Sequence, residues 1–572
     1  MTLALAHRGP DDFGFLRNER ACLGHRRLSI IDLSAAGRQP LLNEDGTIAV
    51  ICNGEIYNFA PLMRELAARG HRFASKSDTE VLVHGYEEWG IGGLLGRLEG
   101  MFAFALHDAR AGRFVLARDR FGIKPLYYTL AAGDAALHFA SEVRALRVAG
   151  LADGAADPMG IAGFLALGSV PSPRTALRGV ACLEAGHYLD AGDNGWSLHR
   201  YWALGEKGPE PETDLATALR VSVERNLISD VPTGIFLSGG VDSTGLVALA
   251  SASHHDLRTL TVVMGKEDAV ARETAQLFHT QHAEVEWGEA AFPEIFDKYL
   301  AAMDQPTVDG LNTWLISRAA REAGLTVALS GTGGDEVFWG YPPYRKLQSM
   351  SACPSALGPL IAMAGTALGT LWGKEGWRRA SWLREGITGQ SMYGLFRGFF
   401  PLEDVRDLLG LSPAELAAVR QYPGTGVGSL TAQYNQIEFR RYLHDQLLRD
   451  TDVFSMAHGL EIRVPYLDTA VVNGAMRLPD NQKLAADINK PALVRAAGHA
   501  RVAAVAREKK TGFHLPMERW MATHSGMLRE MALRPSILDA GTVRRMWSAF
   551  EAGRLHWSRA MALVVLGAGA GR

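Results

Sequence analysis

The sequence predicts two unlike domains in one chain: an α+β domain of antiparallel strands, followed by an α/β domain with a parallel sheet and a helical C-terminal part. Short apolar segments that can pair locally dominate residues 1–150; one example is the hairpin pattern of 101–106 and 113–117. From about residue 210, strand and helix patterns alternate, which is typical of a parallel sheet covered on both faces. We expect a first domain over 1–150, a linker with some strand character over 151–209, a second domain over 210–525 and a helical extension over 526–572.

Local patterns predict the individual elements of both domains. In the first domain, an apolar strand at 47–52 ends at the turn signal Asn53-Gly54, and a helix begins at Pro61 and ends at Gly70. In the second domain, the predicted strands are 234–237, 259–264, 284–287 and 326–330, and the predicted helices are 244–251, 271–279 and 312–323. Ligands of such parallel sheets bind beyond the carboxyl ends of the strands.

Composition limits the function classes. Hydrophobic residues make up 47% and charged residues 21% of the 572, which is typical of a globular protein, and the net charge of -3 offers no basic surface for nucleic acid. The four cysteines form no CxxC pair, which excludes a disulfide scaffold or a cysteine zinc cluster and fits the reducing cytoplasm. Residues 347–373 are uncharged, but Pro354 and Pro359 interrupt them, so we expect packed small-residue helices rather than a membrane span.

A glycine-rich segment, SGGVDS at 238–243, follows one predicted strand and precedes a helix. Gly239 and Gly240 let the backbone approach a phosphate, and the helix N-terminus offers unpaired N–H groups and a positive dipole. Ser238 and Ser243 add hydroxyl groups, and Asp242 can hold a magnesium ion that bridges phosphates. The segment resembles the pyrophosphate loop of ATP pyrophosphatases and differs from a Walker loop, whose Gly-Lys-Ser/Thr is absent.

A second glycine-rich segment, SGTGGDE at 330–336, follows another predicted strand. If both strands lie centrally in one sheet, Asp335 and Asp242 converge at its carboxyl edge. Two carboxylates together with phosphates and waters suit octahedral Mg²⁺. The sequence therefore predicts a site for ATP and Mg²⁺ at this edge.

Longer motifs give a specific resemblance. The second half contains SGGVDS, SGTGGDEVFWGY, SMAHGLEIRVPYLD (455–468) and KKTGF (509–513); the first half contains HRGPDD (7–12), RRLSIIDL (26–33), NGEIYN (53–58), SDTE (77–80), GMFAFALHD (100–108) and RDRFGIKPLYY (118–128). In this order the chain resembles the asparagine synthetases of the glutamine-hydrolysing type over nearly its whole length. The resemblance implies a class II glutamine amidotransferase module, an α/β/β/α sandwich, joined to an ATP-dependent synthetase module.

For the synthetase module, the resemblance implies a reaction in which ATP adenylates an acid's side-chain carboxylate and ammonia displaces AMP. Lys510 would stabilise the phosphates as a catalytic residue. Leu237 and Met264 would lie at the adenosine, and Ser330 and Gly331 would contact the nucleotide. Glu461 would line the same pocket as a catalytic residue, with a buried ion pair to Arg463 as the alternative.

For the amidotransferase module, the resemblance implies that glutamine is held by its charged ends. Arg27 suits the α-carboxylate, and Asp78 suits the α-amine with Glu55 beside it. The Asn53 side chain and the Gly54 N–H would form the oxyanion hole for the tetrahedral intermediate. The remaining glutamine-binding residues would be Leu28, Ser29 and Ile30.

Three departures from the family pattern bear on function. Members begin Met-Cys-Gly-Ile, whereas here Met1 stands just before HRGPDD. We expect the opening strand and the nucleophilic cysteine to be missing from these 572 residues, through a start codon placed too late or through true loss, so that ammonium but not glutamine supplies the nitrogen. Thr332 stands where the family usually has an acidic residue, and Gln305 stands where Glu is commoner, so the acceptor acid need not be aspartate.

The sequence thus predicts a cytoplasmic ATP-dependent ligase that acts on small molecules, with aspartate as acceptor, without nucleic acid or membrane, and with a homodimer as an allowed state. One alternative is a synthetase that amidates another carboxylate in a polysaccharide or secondary-metabolite pathway. A second is a relative that only binds nucleotide. A third, a transfer-RNA-modifying enzyme with the same loop, fits poorly with the near-neutral charge and the missing CxxC.

Overall fold

The computed structural model describes residues 1–130, 136–206, 213–263, 268–287, 292–350, 353–372, 379–421, 428–508, 515–534 and 536–569. Its first eleven strands are β1 Asp12–Arg17, β2 Cys22–Arg27, β3 Leu41–Leu42, β4 Ile48–Ile56, β5 Gly100–Asp108, β6 Arg113–Arg118, β7 Tyr127–Leu130, β8 Leu137–Ala140, β9 Val180–Cys182, β10 His187–Gly192 and β11 Gly195–Arg200. They form three antiparallel sheets with the orders β1-β2, β11-β10-β6-β5-β4-β3 and β8-β7-β9. The predicted hairpin is the β5–β6 pair, in which Leu106 lies opposite Val115.

The layers of the N-terminal domain follow from the alternation of side chains along β4. Val50 faces the helices Phe59–Ala68 and Val81–Arg97, and its neighbour Ile51 faces the two smaller sheets. A further helix, Val143–Val148, packs against the outer side of the three-stranded sheet. The order helix, sheet, sheet, helix confirms the predicted α+β sandwich.

Residues 151–209, predicted as a linker with some strand character, contribute three strands to the sheets of the first domain. Strands β9, β10 and β11 lie within this segment, and β10 pairs with β6 so that Leu189 stands opposite Leu116 in the core. The helix Pro158–Leu167 is buried as well from Gly160 onwards. The sequence indicated strand character here but not the pairing, because the partner strands are distant in sequence and all six residues of β11 are exposed.

The second domain has one parallel sheet of β12 Thr233–Phe236, β13 Arg258–Val263, β14 Gln281–Glu286, β15 Val327–Leu329 and β16 Glu461–Arg463, in the order β14-β13-β12-β15-β16. The connecting helices are Leu215–Asn226, Val241–Ala250, Ala269–Leu277, Phe292–Ala302 and Leu311–Glu322. The parallel sheet was predicted correctly. Strand order reverses between β12 and β15, and ligands of parallel sheets bind at such a reversal.

The rest of the chain is helical. Its helices are Gly334–Val337, Pro342–Met350, Gly358–Trp372, Gly389–Arg397, Leu402–Leu409, Pro413–Val419, Leu430–Ile437, the π-helical Glu438–Leu448, Arg449–Met456, Thr469–Arg477, Asp480–Lys483, Pro491–Ala497, Ala500–Val505, Met517–Thr523, Ser525–Ala532, Ala540–Glu551 and Trp557–Gly567. Trp547 and Leu563 of the final helices share one core with Phe164 and Phe296. Residues 526–572 were predicted as an extension, but their described part is integral to this core.

Across the described ranges, no single helix is both long and apolar enough to cross a bilayer. One pair of helical segments, Gly334–Met350 and Ser355–Gly369, has the length and apolar composition of a membrane span only when the two are taken together. The pair is bent by 105° at the break between them.

Candidate functional site

The loops after β12 and β15 lie side by side because these two strands are neighbours in the sheet. In the first loop, Ser238 N donates to Ser243 Oγ at 3.1 Å, and Ser243 Oγ lies 2.8 Å from Ser238 O, so the loop closes onto the start of the helix Val241–Ala250. Gly239 N donates to Asp268 Oδ2 at 2.7 Å. A backbone N–H of this loop is thus already directed at an anionic oxygen, as a phosphate-binding loop requires.

The carboxylates of Asp242 and Asp335 converge on one ammonium group. Lys490 Nζ lies 2.5 Å from Asp242 Oδ2 and 2.6 Å from Asp335 Oδ1, and the lysine side chain is fully buried. Burial alone lowers the pKa of Lys490, but the two carboxylates outweigh it and raise that pKa above its ordinary value. We call the two loops together with these three residues the carboxyl-edge site.

Glycines allow the close approach of groups at the carboxyl-edge site. A Cβ on Gly334 would stand 2.5 Å from Asp242 Oδ1, and a Cβ on Gly340 would stand 2.1 Å from Lys490 Cε. Both distances are shorter than real carbon contacts, so any side chain at these positions would displace the charged groups.

Most of the predicted nucleotide residues lie at the carboxyl-edge site. Leu237 is buried at the end of β12, Ser330 follows β15 with its amide donating to Arg463 O at 2.9 Å, and Gly331 packs beside Asp242. Thr332 hydrogen-bonds to Ser330 through the two hydroxyl oxygens at 2.8 Å. Met264 and Lys510 lie outside the described residues.

Gln305 makes contacts elsewhere. Its Oε1 accepts a hydrogen bond from Ala176 N at 2.8 Å, and the neighbouring Asp304 accepts from Val143 N and Arg144 N. These bonds tie the 304–305 segment to the N-terminal half of the chain. They give Gln305 a structural setting that does not involve an acceptor acid.

A second site, which we call the N-terminal cavity, lies between the sheets of the first domain and has a volume of about 270 Å³. Its wall includes seven of the eight predicted glutamine-binding residues: Arg27, Leu28, Ile30, Asn53, Gly54, Glu55 and Asp78. Ser29 instead lines a neighbouring hollow, with its amide bonded to Asp11 Oδ2 at 2.8 Å. Its neighbours Leu28 and Ile30 both line the cavity, so the role of Ser29 in glutamine binding stays a prediction.

Arg27 lines the cavity and is also bonded to a nearby turn of the chain. Its guanidinium donates to the carbonyl oxygens of Ser34, Ile31 and Asp32 at 2.5–3.2 Å. These bonds fix the 31–34 turn to the wall of the cavity. The predicted contact of Arg27 with the α-carboxylate of glutamine stays a prediction, and these bonds would hold the guanidinium in place for it.

Asn53 and Gly54 lie where β4 passes the cavity. Asn53 Nδ2 is buried and has no hydrogen-bond partner among the described residues. Gly54 has φ +138°, and a Cβ there would stand 2.0 Å from Met101 O on the paired strand. A buried donor without a partner lowers the stability of the folded protein. The unpaired Nδ2 of Asn53 therefore favours a role for this group in binding a ligand oxygen.

Burial raises the pKa values of the acidic groups that line the N-terminal cavity. It raises the pKa of Asp78 to about 6, against the hydrogen bond that Asp78 Oδ2 accepts from Ile56 N at 2.7 Å. Burial, with the charges of Asp78 and Glu461 added, raises the pKa of Glu55 well above its usual value. The thiol of Cys52, also in the cavity wall, has its pKa raised well above the usual value by burial and by Asp78. A cation entering the cavity would relieve these carboxylates.

Glu461 lies in the wall of the N-terminal cavity and not in the predicted nucleotide pocket. It is the first residue of β16, which runs parallel to β15, so it stands opposite Val327 at the amino edge of the sheet. Arg463 Nε donates to Glu461 Oε1 at 2.8 Å. This is the buried ion pair that the sequence offered as the alternative to a role of Glu461 in nucleotide binding. Lys124 Nζ lies 3.7 Å from the other carboxylate oxygen of Glu461, so this strand links the two domains.

Lys490 is the main residue that the sequence analysis missed. It has φ +52° and immediately precedes Pro491, the first residue of the helix Pro491–Ala497. A single lysine before a proline belongs to no recognisable sequence motif. Only the three-dimensional structure brings it to the two carboxylates.

Each half of the chain matches a known protein family. A family model described as a glutamine amidotransferase domain matches residues 1–202, and one described as asparagine synthase matches residues 214–570. Asparagine synthetase [glutamine-hydrolyzing] 1 of Bacillus subtilis is 32% identical, over 94% of this chain and 87% of its own length. Asparagine synthetase [glutamine-hydrolyzing] 3 of the same organism is 29% identical over 85% and 78%, and amidase chry2 of Gibberella zeae is 27% identical over 84% and 78%.

The fold, the two sites and these matches define a two-domain protein in which a glutamine amidotransferase domain precedes a synthase domain with a parallel sheet. The chain belongs to the asparagine synthase family.

Proposed function

We propose that this protein is an ATP-dependent ligase that joins nitrogen from glutamine, or from free ammonia, to the side-chain carboxylate of aspartate. The products are asparagine, AMP and pyrophosphate, with glutamate where glutamine is the donor. The observation that carries the proposal is the convergence of Asp242 and Asp335 on Lys490, at the strand-order reversal of a parallel sheet. The names of the Bacillus relatives support the same reaction.

The chemistry explains why such a site is needed. A carboxylate carries no leaving group, so one of its oxygens first attacks the α-phosphorus of ATP; a new P–O bond forms and the bond to pyrophosphate breaks. Ammonia then attacks the acyl carbon, the acyl bond to AMP breaks, and the nitrogen loses a proton. Negative charge develops on phosphate oxygens, which cations and N–H donors stabilise.

At the carboxyl-edge site, Asp242 and Asp335 supply the hard oxygen ligands that Mg²⁺ prefers. That they already share one cationic group supports their fit to a metal ion. Bound Mg²⁺ would neutralise phosphate charge, and Lys490 adds a second positive charge beside it. The loop amide of Gly239 would bind a phosphate oxygen in exchange for the Asp268 carboxylate.

The other nucleotide contacts remain part of the proposal. Leu237 and Met264 would contact the adenosine, while Ser238, Gly240, Ser243, Ser330 and Gly331 would contact the remainder of ATP. Lys510 would stabilise the pyrophosphate as it leaves. Glu461 has no part at this site, because its carboxylate lies in the N-terminal cavity.

In the N-terminal cavity, glutamine would bind with its α-ammonium group against Asp78 and Glu55. The raised pKa values of both acids support this, since an incoming cation stabilises their ionised forms. The amide of Asn53 and the N–H of Gly54 would stabilise the oxyanion of the tetrahedral intermediate. Arg27 would bind the α-carboxylate, with its bonds to the 31–34 turn holding the guanidinium in place.

The test is pyrophosphate release from ATP and Mg²⁺ with ammonium and each of several acids: aspartate, glutamate, malate and a β-amino acid. We expect release with aspartate, together with stoichiometric asparagine. A chain that binds ATP but releases no pyrophosphate with any acid would show that it is a nucleotide-binding relative and not a ligase.

A second candidate is the same reaction on a different carboxylic acid. Thr332 favours it, because its hydroxyl bonds to Ser330 in the loop where the family usually has an acidic side chain. A relative with another name, amidase chry2, is similar over most of this chain. Pyrophosphate release with an acid other than aspartate in the same panel would favour this candidate.

A further inference from the structure

We propose that the glutamine amidotransferase domain holds a divalent transition metal, Zn²⁺ by its donor set, between Glu44, His71, His84 and Glu87. One ligand atom from each of these side chains lies within 4.8 Å of the other three. The cluster lies on the helical face of the N-terminal domain and includes no residue of the two sites described above. We call it the His–Glu cluster.

Three separate segments build the His–Glu cluster. Glu44 lies in the turn between β3 and β4, and His71 follows the end of the helix Phe59–Ala68. His84 and Glu87 are three residues apart on the helix Val81–Arg97, so their side chains share one face. A metal ion here would join a sheet turn, a helix end and a second helix.

His84 provides the strongest evidence for a ligand. Its side chain is only 1% exposed, and neither ring nitrogen has a hydrogen-bond partner among the described residues. Carboxylate oxygens nevertheless flank both nitrogens: Glu44 Oε2 is 3.4 Å from Nδ1, and Glu80 Oε1 is 3.5 Å from Nε2. These separations are too long for good hydrogen bonds.

The same separations suit ligands of one metal ion. In a tetrahedral zinc site with bonds of about 2.0 Å, neighbouring ligand atoms are about 3.3 Å apart. Glu44 Oε2 and His84 Nδ1 are 3.4 Å apart, and Glu44 Oε1 and His71 Nδ1 are 3.6 Å apart. Small shifts of the exposed Glu44 and Glu87 side chains would complete the coordination.

Each histidine also has a carboxylate behind it. Glu88 Oε2 lies 3.6 Å from His71 Nε2, and Glu80 Oε1 lies beside His84 Nε2. Metal-bound histidines in proteins usually donate their second ring N–H to a carboxylate, which fixes the ring and raises its basicity. At both histidines a carboxylate stands within 3.6 Å of the second ring nitrogen, so a shift of a few tenths of an ångström would form that hydrogen bond.

The donor set selects the class of metal. Two imidazole nitrogens and two carboxylates suit Zn²⁺ and its neighbours, whereas Mg²⁺ and Ca²⁺ prefer oxygen ligands alone. The competing explanation is an ion-pair network without metal, because Glu44 also accepts from Arg72 N and Glu87 from Arg110. Arg72 N binds only Oε1 of Glu44, which leaves Oε2 facing His84. The second oxygen of Glu87 accepts a long bond of 3.3 Å from Asn43 Nδ2, which a metal ion would have to displace.

The position of the cluster gives it a consequence for the neighbouring cavity. The 3-10 helix Asp78–Glu80 leads directly into the helix that carries His84 and Glu87. Asp78 lines the N-terminal cavity, and Glu80 stands behind His84. A bound metal ion would therefore hold the segment that positions Asp78.

The experiment uses the full chain without an affinity tag, freed of metal by chelator and gel filtration. Zn²⁺ is titrated by calorimetry in the presence of excess Mg²⁺, and Co²⁺ is titrated while visible absorption is recorded. We expect one equivalent of Zn²⁺ to bind, Co²⁺ to give the visible bands of a site with nitrogen ligands, and Zn²⁺ to raise the Tm.

Variants separate the cluster from the other histidines of the chain. His71→Asn and His84→Asn should weaken Zn²⁺ binding by at least about 10-fold, and Glu88→Gln by about 10- to 100-fold through the ring of His71. His107→Asn is the matched control for His84, because His107 is also buried in this domain, at 4% exposure, but lies outside the cluster. It should leave binding unchanged.

The exposed Glu87→Gln variant keeps the test valid if His84→Asn does not fold; it should also weaken binding by at least about 10-fold. The exposed Glu65→Gln variant is its control and should bind as the wild type does. The proposal is wrong if the wild type binds no stoichiometric Zn²⁺, or if His71→Asn and Glu87→Gln bind it as tightly as the wild type. The cluster would then be an ion-pair network only.

Discussion

The side-chain nitrogen of Lys490 lies 2.5 Å from both carboxylate oxygens of Asp242, although the two residues are 248 positions apart. The same nitrogen lies 2.6 Å from Asp335 Oδ1. Lys490 thus holds together the loops that follow two neighbouring strands. This contact connects the stability of the carboxyl-edge site with its proposed chemistry.

Replacing Lys490 by Met should remove pyrophosphate release and lower the free energy of unfolding by about 3 kcal/mol, because two close carboxylates lose their shared counter-charge. The control is Lys483→Met: Lys483 is also buried, but its ammonium group lies over the Trp339 ring and donates to Met476 O. Pyrophosphate release and urea denaturation are measured for both. Unchanged turnover in Lys490→Met would remove Lys490 from the proposed reaction.

Asp242→Asn and Asp335→Asn should each abolish pyrophosphate release and leave the fold intact. Each change removes one proposed Mg²⁺ ligand, while Lys490 keeps the remaining carboxylate as its partner. The measurement is pyrophosphate release at several Mg²⁺ concentrations, with circular dichroism to check folding. Asp297→Asn, on the exposed side of the helix Phe292–Ala302, is the control and should retain full activity.

The carboxyl-edge site shows what could be predicted from the sequence and what could not. Each loop follows a short apolar strand and carries its own glycines and acid, so local patterns were enough to predict that Asp242 and Asp335 converge. Lys490 carries no local signal, and its contact depends on how the helix Pro491–Ala497 packs. Glu461 was misplaced for a related reason: a motif does not reveal which edge of the sheet its residues occupy.

The strand pairing of residues 151–209 was missed for a similar reason. The hairpin β5–β6 is local and was evident, whereas β10 pairs with β6 across some 70 residues. Non-local strand pairing depends on the whole sheet and leaves little trace in one segment. The membership of the last three helices in the main core was missed because that core is assembled from segments throughout the chain.

Asp78 should make stability depend on pH in a predictable direction. Its pKa of about 6 in the folded protein exceeds its ordinary value of 3.8, so the folded state binds more protons between these values. Stability from this group therefore falls as pH rises from 4 to 6. Relative to the wild type, Asp78→Asn should gain about 2 kcal/mol between pH 4 and pH 7, measured by urea denaturation. A pH-independent difference would mean that Asp78 titrates normally.

Replacing Asn53 should raise the stability of the protein while removing a function. Its buried Nδ2 has no partner among the described residues, so Asn53→Leu should raise the free energy of unfolding by about 1 kcal/mol while removing any glutamine-dependent amide formation. The matched control is Asn43→Leu, since the amide of Asn43 bonds to Ile48 N and Glu87. That control should be destabilised. Loss of stability in Asn53→Leu would indicate that its amide is satisfied.

Arg463 should be the most sensitive of the charged residues that join the two domains. It is fully buried, bonds to Glu461 and to the carbonyls of Asn226 and Ile228, and lies 3.5 Å from Glu55. Arg463→Met leaves buried carboxylates without a counter-charge and should lower the free energy of unfolding by about 3 to 5 kcal/mol. Arg200→Met breaks an exposed pair with Glu206 and should change it by no more than about 1 kcal/mol.

A double variant identifies the cause of this loss. If the uncompensated charge of Glu461 destabilises Arg463→Met, then adding Glu461→Gln should restore part of the stability, although the same change in the wild type destabilises it. If the loss came only from the missing hydrogen bonds to Asn226 and Ile228, the two changes would add. Urea denaturation of the four proteins in this cycle measures the coupling between the two side chains. A coupling near zero would mean that charge compensation at Glu461 does not determine how Arg463 stabilises the contact between the domains.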